Sequence, residues 1–169
     1  QYRKNIGTVF QDSNVYAFSI KDNLDIYKDH IEDDISSVVE QVQLTQQLQN
    51  HESELTKEFS DDGIVLSGGE VQKLAIARIL NGEFGLILFD EPSSALDPIA
   101  EEQVMRLIYN MASTTTTIVI AHRLSSIRDM DRILVVDNGM IIEEGNHKQL
   151  MNKKGLYYQM WNTQAEKYR

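Results

Sequence analysis

The chain has 169 residues, 41% hydrophobic and 25% charged, which suits one folded domain with a real core and excludes a disordered, charge-dominated segment. It has no cysteine, so a disulfide framework and a thiolate metal site are excluded. Its 26 acids against 16 bases give a net charge of −10, which argues against nucleic acid as a partner, and apolar runs such as Leu86–Phe89 fall far short of the ~18 residues of a membrane span.

The sequence begins "QYRKNIGTVFQ", without Met or a recognisable signal peptide, so the expectation is an interior cut of a longer protein. "NIGTVF" predicts a strand ending at Gln11. "DSNVYAFSIKDNLDIY" reads as loop and short helix. "DDISSVVEQVQLTQQLQ" places Ile35, Val38, Val39 and Val42 at helical spacing, with Asp33 or Asp34 as the cap. "SELTKEFSDDG" is a polar connector, and "VLSGGEVQKLAIARIL" is a glycine turn opening an amphipathic helix. "GLILFDEP" is apolar without alternation, the pattern of a strand buried on both faces, and it stops at Asp90-Glu91. Asp97-Pro98 starts a helix to about Met111, with Asp as cap and Glu101 and Glu102 at the positive end. "TTTIVIAHR" predicts a second buried strand ending at His122. "RILVVDNGMIIEEG" predicts a hairpin turning at Asn138-Gly139. Two terminal helices follow, with Gly155 as the stop between them. Alternating strands and helices imply an α/β domain with a mainly parallel sheet, and ligands bind such sheets beyond the carboxyl ends of the strands. Gln11, Asp90-Glu91 and His122 fall there.

Four patterns carry candidate chemistry. Ser67 and Glu70 have capping-box spacing, Gly68 and Gly69 bare the backbone, and the free N–H groups of a helix start attract anions. An ordinary capped helix on a glycine turn explains the same residues. The strand ending at Asp90 resembles the magnesium-holding strand of P-loop nucleotide hydrolases, with Glu91 polarising the attacking water; two solvated acids at a strand end is the plain alternative. His122 is either a core histidine or a contact to a phosphate oxygen, and Gln11 is either a strand-end amide or an oxygen donor near a metal or water. Asp97 is a helix cap on any reading, and His30, His51 and His147 lie in polar stretches without an assigned role.

"LSGGE", "LILFDEPSSALD" and "VIAHR", in this order, resemble the nucleotide-binding domain of ATP-binding cassette (ABC) transporters, from about Ile6 to Trp161. "TVFQDSNVYAFSIKDNL" and "VDNGMIIEEGNHKQLMNKKGLYYQMW" resemble the exporter type, and "KEFSDDG" is a loose version of its loop before the signature. The resemblance implies a P-loop NTPase-like fold whose N-terminal part is missing. An α/β core would comprise residues 1–11 and 81–169 with the C-terminal helices, and a helical, signature-bearing subdomain about 12–80. It implies ATP and Mg²⁺ as ligands and a head-to-tail dimer with a second nucleotide-binding domain. It also implies contact with a transmembrane domain's coupling helix, no nucleic acid partner, and a place at the cytoplasmic face of the cell membrane. By resemblance, Gln11 senses Mg²⁺ and water and couples to the membrane domain. Ser67, Gly68 and Gly69, with Glu70, bind the γ-phosphate of ATP held by the partner domain. Asp90 handles Mg²⁺, Glu91 is the base, Asp97 lies in the nucleotide-facing loop that crosses the dimer interface, and His122 is the switch histidine.

Glu70 stands where the family's signature more often has Gln, and Lys73 where Arg is common; Lys keeps the charge and loses the fork. The sequence contains no Gly-Lys-Ser or Gly-Lys-Thr, so the phosphate-gripping loop is expected upstream of Gln1. The chain alone is therefore expected to bind MgATP very weakly, not to hydrolyse it, and to self-associate through apolar surface and a strand edge left uncovered. A soluble ABC ATPase of DNA repair or translation is disfavoured by the acidic balance and the exporter-like glutamine loop. A non-catalytic interaction module is disfavoured by the intact Glu91 and His122.

Overall fold

A computed structural model describes residues 5–27, 35–45, 50 and 52–166. They belong to two compact units, residues 1–120 and 121–169.

In the first unit, β1 (Ile6–Val9), β2 (Leu86–Asp90) and β3 (Thr116–Ile120) form a parallel sheet in that order. Ile6 pairs with Leu86 and Leu86 with Thr116, so the strands run level. Parallel neighbours need long crossovers rather than tight turns. Helix α3 (Gly68–Leu80) leads into β2 and packs on β1; α4 (Pro98–Ala112) joins β2 to β3 and packs on β3. Val9, Ile87 and Phe89 of the sheet are buried, as are Leu74, Ile76 and Ile79 of α3 and Val104, Met105 and Ile108 of α4. Each such side chain contributes roughly 1.5–3 kcal/mol relative to exposure.

Several expectations are corrected here. β1 stops at Val9, so Gln11 lies in the following turn, and β3 stops at Ile120, before His122. Neither strand from the apolar runs is buried on both faces. β2 alternates buried and half-buried residues, and β3 leaves Ile118 and Ile120 51% and 58% exposed. The runs lack alternation because both faces are apolar, yet only one set of alternate residues meets the helices. Among the described residues, no strand pairs with the far edge of β3.

The segment after Gln11 forms α1 (Ile20–Leu24) and a 3-10 turn at Asp25–Tyr27. The next helix, α2 (Ser36–Gln41), is shorter than its periodicity predicts. Gln43 takes a left-handed φ of 57°, its N–H donates to Glu40 O at 2.9 Å, and Leu44 N–H donates to Val39 O at 3.0 Å. These two bonds close a Schellman motif without glycine, and the motif buries Val42 and Leu44. Ile35 occupies the cap position without a side-chain bond; Asp33 and Asp34 lie outside the described residues. The connector before α3 is not merely polar, because Leu55 is fully buried and bridges to Ile64.

In the second unit, β4 (Ile133–Asp137) and β5 (Met140–Gly145) form the predicted hairpin, with Asn138 and Gly139 both at positive φ, 48° and 77°. Helices α5 (His147–Lys153) and α6 (Leu156–Glu166) close a small core of Leu124, Ile133, Val135, Leu150 and Tyr157. The left-handed stop after α5 is Lys154, φ 55°, not Gly155. Gly155 serves another purpose. The Glu143 carboxylate accepts from the N–H groups of Leu156 (2.6 Å) and Tyr157 (3.1 Å), capping α6, and a Cβ on Gly155 would collide with that carboxylate. No helix among the described residues is long and apolar enough to cross a membrane.

Candidate functional site

Helix α3 opens on the predicted capping box. Ser67 Oγ accepts from Glu70 N–H at 3.4 Å, while the Glu70 carboxylate accepts from Ser67 N–H at 2.7 Å and the Ser67 hydroxyl at 2.8 Å. Ser67 and Gly68 are exposed. The bared N–H groups and helix dipole there favour an anion. Gly69 has a different reason to be glycine. A Cβ on it would lie 3.2 Å from Leu96 Cδ2 and 3.4 Å from Ala95 O, so its bareness admits the chain's own turn.

That turn begins at β2. Asp90 is the strand's last residue, and Glu91 follows with φ 51°, a left-handed conformation that costs a side-chain-bearing residue roughly 1–3 kcal/mol. Glu91 N–H donates to Ile120 O at 2.9 Å, and Ser94 N–H donates to Glu91 O at 3.2 Å. The turn ends at Asp97, whose carboxylate accepts from Ile99 N–H (2.9 Å) and Ala100 N–H (3.1 Å). The Ala100 and Ile99 bonds, aided by the charge of Lys73, hold this carboxyl below the ordinary aspartate range.

Gln11 is exposed in the turn after β1, which the Ser13 hydroxyl tightens by donating to Phe10 O at 2.8 Å. The loop beyond it is organised by Asn23, which is fully buried. Its side chain donates to Tyr16 O (2.9 Å) and Ser19 O (3.0 Å) and accepts from Tyr16 N–H at 3.1 Å. From α3, Arg78 donates to Asn23 Oδ1 (2.7 Å), Asn23 O (2.8 Å) and Asn14 O (2.7 Å), and its guanidinium lies 5.3 Å from the Tyr16 ring centroid. Burial lowers the Arg78 pKa, opposed by Tyr16 and Tyr27. Four carbonyl-type and ring contacts replace its water, which keeps a buried cation tolerable.

Two predicted site residues meet. Gln11 and Gly68 line one cleft of about 510 Å³, together with Asp12, Asn14, Gln72 and Ser94. Asp90, Glu91 and Asp97 lie on the continuous segment that carries Ser94 to this cleft. His122 belongs to the second unit. It is exposed, and Gln164 clamps its backbone: Gln164 Nε2 donates to His122 O at 2.7 Å and Leu124 N–H donates to Gln164 Oε1 at 2.9 Å.

Sequence reasoning missed Gln72, Arg78 and Asn23. The signal was present on α3, where Gln72 shares helical spacing with Ile76 and Ile79, and Arg78 with Leu74. A polar side chain on an apolar stripe must find partners inside the fold. Among the described residues, no cluster of three or more Asp, Glu, His or Cys could hold a metal. Asp90 and Gln11 nevertheless offer hard oxygen donors. Oxygen donors of this kind suit Mg²⁺, which takes one or two protein oxygens and completes its shell with phosphate and water.

The description of the matching family is "ABC transporter", over residues 1–94. The chain is 37% identical to the mitochondrial "Iron-sulfur clusters transporter ATM1" of Debaryomyces hansenii over 96% of its own length and 24% of that protein's. It is 36% identical to the "ATP-dependent lipid A-core flippase" of Idiomarina loihiensis over 96% of itself and 28% of that protein. A solved bacterial Atm1-family ABC exporter with ATP bound superposes with a TM-score of 0.85 at 36% identity, covering 96% of this chain and 29% of that one. The chain thus spans about a quarter of the length of the proteins it resembles. The superposition gives a P-loop NTPase-like α/β fold, and the matching family is one of ATP-binding proteins. The signature-like start of α3, the acidic end of β2 and the relatives agree, and the chain belongs to the ABC transporter family.

Proposed function

We propose that this chain is the signature- and acid-bearing portion of the ATP-hydrolysing domain of an ABC exporter, working head to tail with a second such domain. The carrying observation is the convergence of Gln11 and the exposed Gly68 end of α3 on one cleft, reached by the turn that begins at Asp90-Glu91. In this reading, MgATP supplies the phosphoryl group to be transferred to water. Asp90, with Gln11, would hold the metal by oxygen. Glu91 takes a proton from the attacking water, and its left-handed backbone turns the residue out of the strand direction. Ser67, Gly68 and Gly69 present hydroxyl and backbone N–H to the γ-phosphate on the opposite domain, and His122 contacts a phosphate oxygen. Glu70 brings negative charge beside those phosphates, and its two bonds to Ser67 leave less of that charge unshared. Tyr16 and Phe18, 43% and 59% exposed and stacked 6.5 Å apart, offer an apolar ledge that suits a membrane domain's coupling helix, and a contact of that kind supports a working position at the cytoplasmic face of the membrane.

Calorimetric titration of MgATP into the chain, and into the chain extended upstream to a complete domain, tests this reading. Negligible heat for the first and clear binding for the second is expected, because the lysine and backbone cradle for phosphate are absent from these residues. Tight binding by the chain alone would overturn that account of affinity.

A further inference from the structure

Gln72 is 97% removed from solvent, being 3% exposed, on the first turns of α3. Both ends of its amide are used on one target. Nε2 donates to Ser94 Oγ at 2.8 Å, and Oε1 accepts from Ala95 N–H at 3.1 Å. Ser94 and Ala95 sit midway along the turn from Glu91 to Asp97. The turn's own bonds, Ser94 N–H to Glu91 O (3.2 Å) and Leu96 N–H to Ser93 O (3.1 Å), make it a stiff coil, so holding its middle holds both ends. The close seat at Gly69 brings the backbones together there, and Gln72 then fixes their register.

We infer that Gln72 is a positioning residue, an amide clamp that ties the left-handed Glu91 turn to the Ser67 end of α3 so that the two move as one piece. The inference rests on the proposed function, in which Glu91 acts on the nucleotide of its own domain and Ser67 on that of the opposite domain. A clamp between them makes the alignment of the acid depend on how the signature helix is seated against the other nucleotide. Both polar ends of Gln72 are taken up by the turn, and the side chain is buried. Its loss should therefore lower turnover and leave nucleotide affinity alone.

Two substitutions separate the clamp from mere filling of space. Gln72→Met keeps length and volume and removes both hydrogen bonds. Gln72→Glu keeps a bond to each partner with one reversed: its carboxyl oxygens can accept from Ala95 N–H, as now, and from the Ser94 hydroxyl, which at present accepts from Nε2. Steady-state hydrolysis is measured in the complete exporter that the proposed function assigns to this chain. Amide hydrogen exchange at Ala95 is measured in the chain itself. The expected result for Gln72→Met is a kcat at least about tenfold lower, as for small misplacements of catalytic groups, with KM for ATP within twofold and the melting temperature retained. Its Ala95 exchange should be fast where the unaltered chain's is slow. Gln72→Glu should restore both slow exchange and turnover. Unchanged kcat in Gln72→Met, an equal loss in Gln72→Glu, or fast Ala95 exchange in the unaltered chain overturns the clamp. An unaltered exporter without ATPase activity overturns the reading beneath it, and Ala95 exchange still reports separately on the two bonds.

Discussion

Glu91 places an acid where the backbone least favours one. A φ of 51° is comfortable for Gly or Asn and strained for Glu, so the position trades stability for the placement of a carboxyl group. Two substitutions read the two sides of this trade. In the complete exporter, Glu91→Gln should lower hydrolysis by about 10²–10⁴-fold, the usual worth of a positioned base. In the chain itself, Glu91→Asn should melt at a higher temperature than Glu91→Gln, because Asn accepts the left-handed region more readily. Thermal unfolding by circular dichroism decides it, and an Asn variant that melts no higher would remove strain from the account. The strain was not legible in the sequence: "FDEP" states the residue types, and only the path of the chain from β2 into the turn sets φ.

Elements in the second unit are held by polar groups that sequence spacing left unassigned. His147, given no role from its polar surroundings, packs its ring 4.4 Å from Trp161, and its Nδ1 lies 2.9 Å from Tyr157 Oη. Tyr157 is 1% exposed, and its burial raises its pKa, with Arg128 opposing. The folded state therefore disfavours the phenolate. The stability this tyrosine contributes is fully present below the ordinary value of about 10, and it is lost as pH rises from there through the raised value. Trp161 is the only tryptophan, so its emission follows α5–α6 packing directly. The alkaline unfolding limb seen by Trp161 should be steeper in the unaltered chain than in Tyr157→Phe; identical limbs would show that Tyr157 ionisation does not drive it. The Gly155 signal was visible in the sequence, but its cause was not, since Glu143 lies on another element and meets α6 only when the hairpin and helices fold together.

In the first unit, Ile118 and Ile120 of β3 face solvent beside an edge without a strand partner among the described residues, and in the second unit Leu134, Val136, Met140, Ile141 and Ile142 of the hairpin are exposed as well. The edge sequence "TTTTIVIA" has no charge, proline or glycine to discourage pairing with another strand. The chain should self-associate with rising concentration despite its net charge of −10, and Ile118→Lys should shift sedimentation velocity profiles toward monomer. A chain that sediments as a monomer throughout would argue that this edge is protected.

The sequence by itself determined the identity and order of the main pieces: the capped start of α3, the strand ending at Asp90, the Asp97 cap and the Asn138-Gly139 turn. The two caps and the turn are set by contacts within about four residues, so local chemistry suffices to encode them, and the strand shows in its unbroken apolar run. The family resemblance was legible for the same reason, since its motifs are short and contiguous. Tertiary structure alone decided which face of β3 stays bare and why Gly69 and Gly155 lack side chains. It also decided that Gln72 and Arg78 turn their polar ends onto loops 22 to 64 residues away in sequence. Those partners are brought near by packing of the helices on the sheet, and no spacing rule along the chain records a distance of that kind.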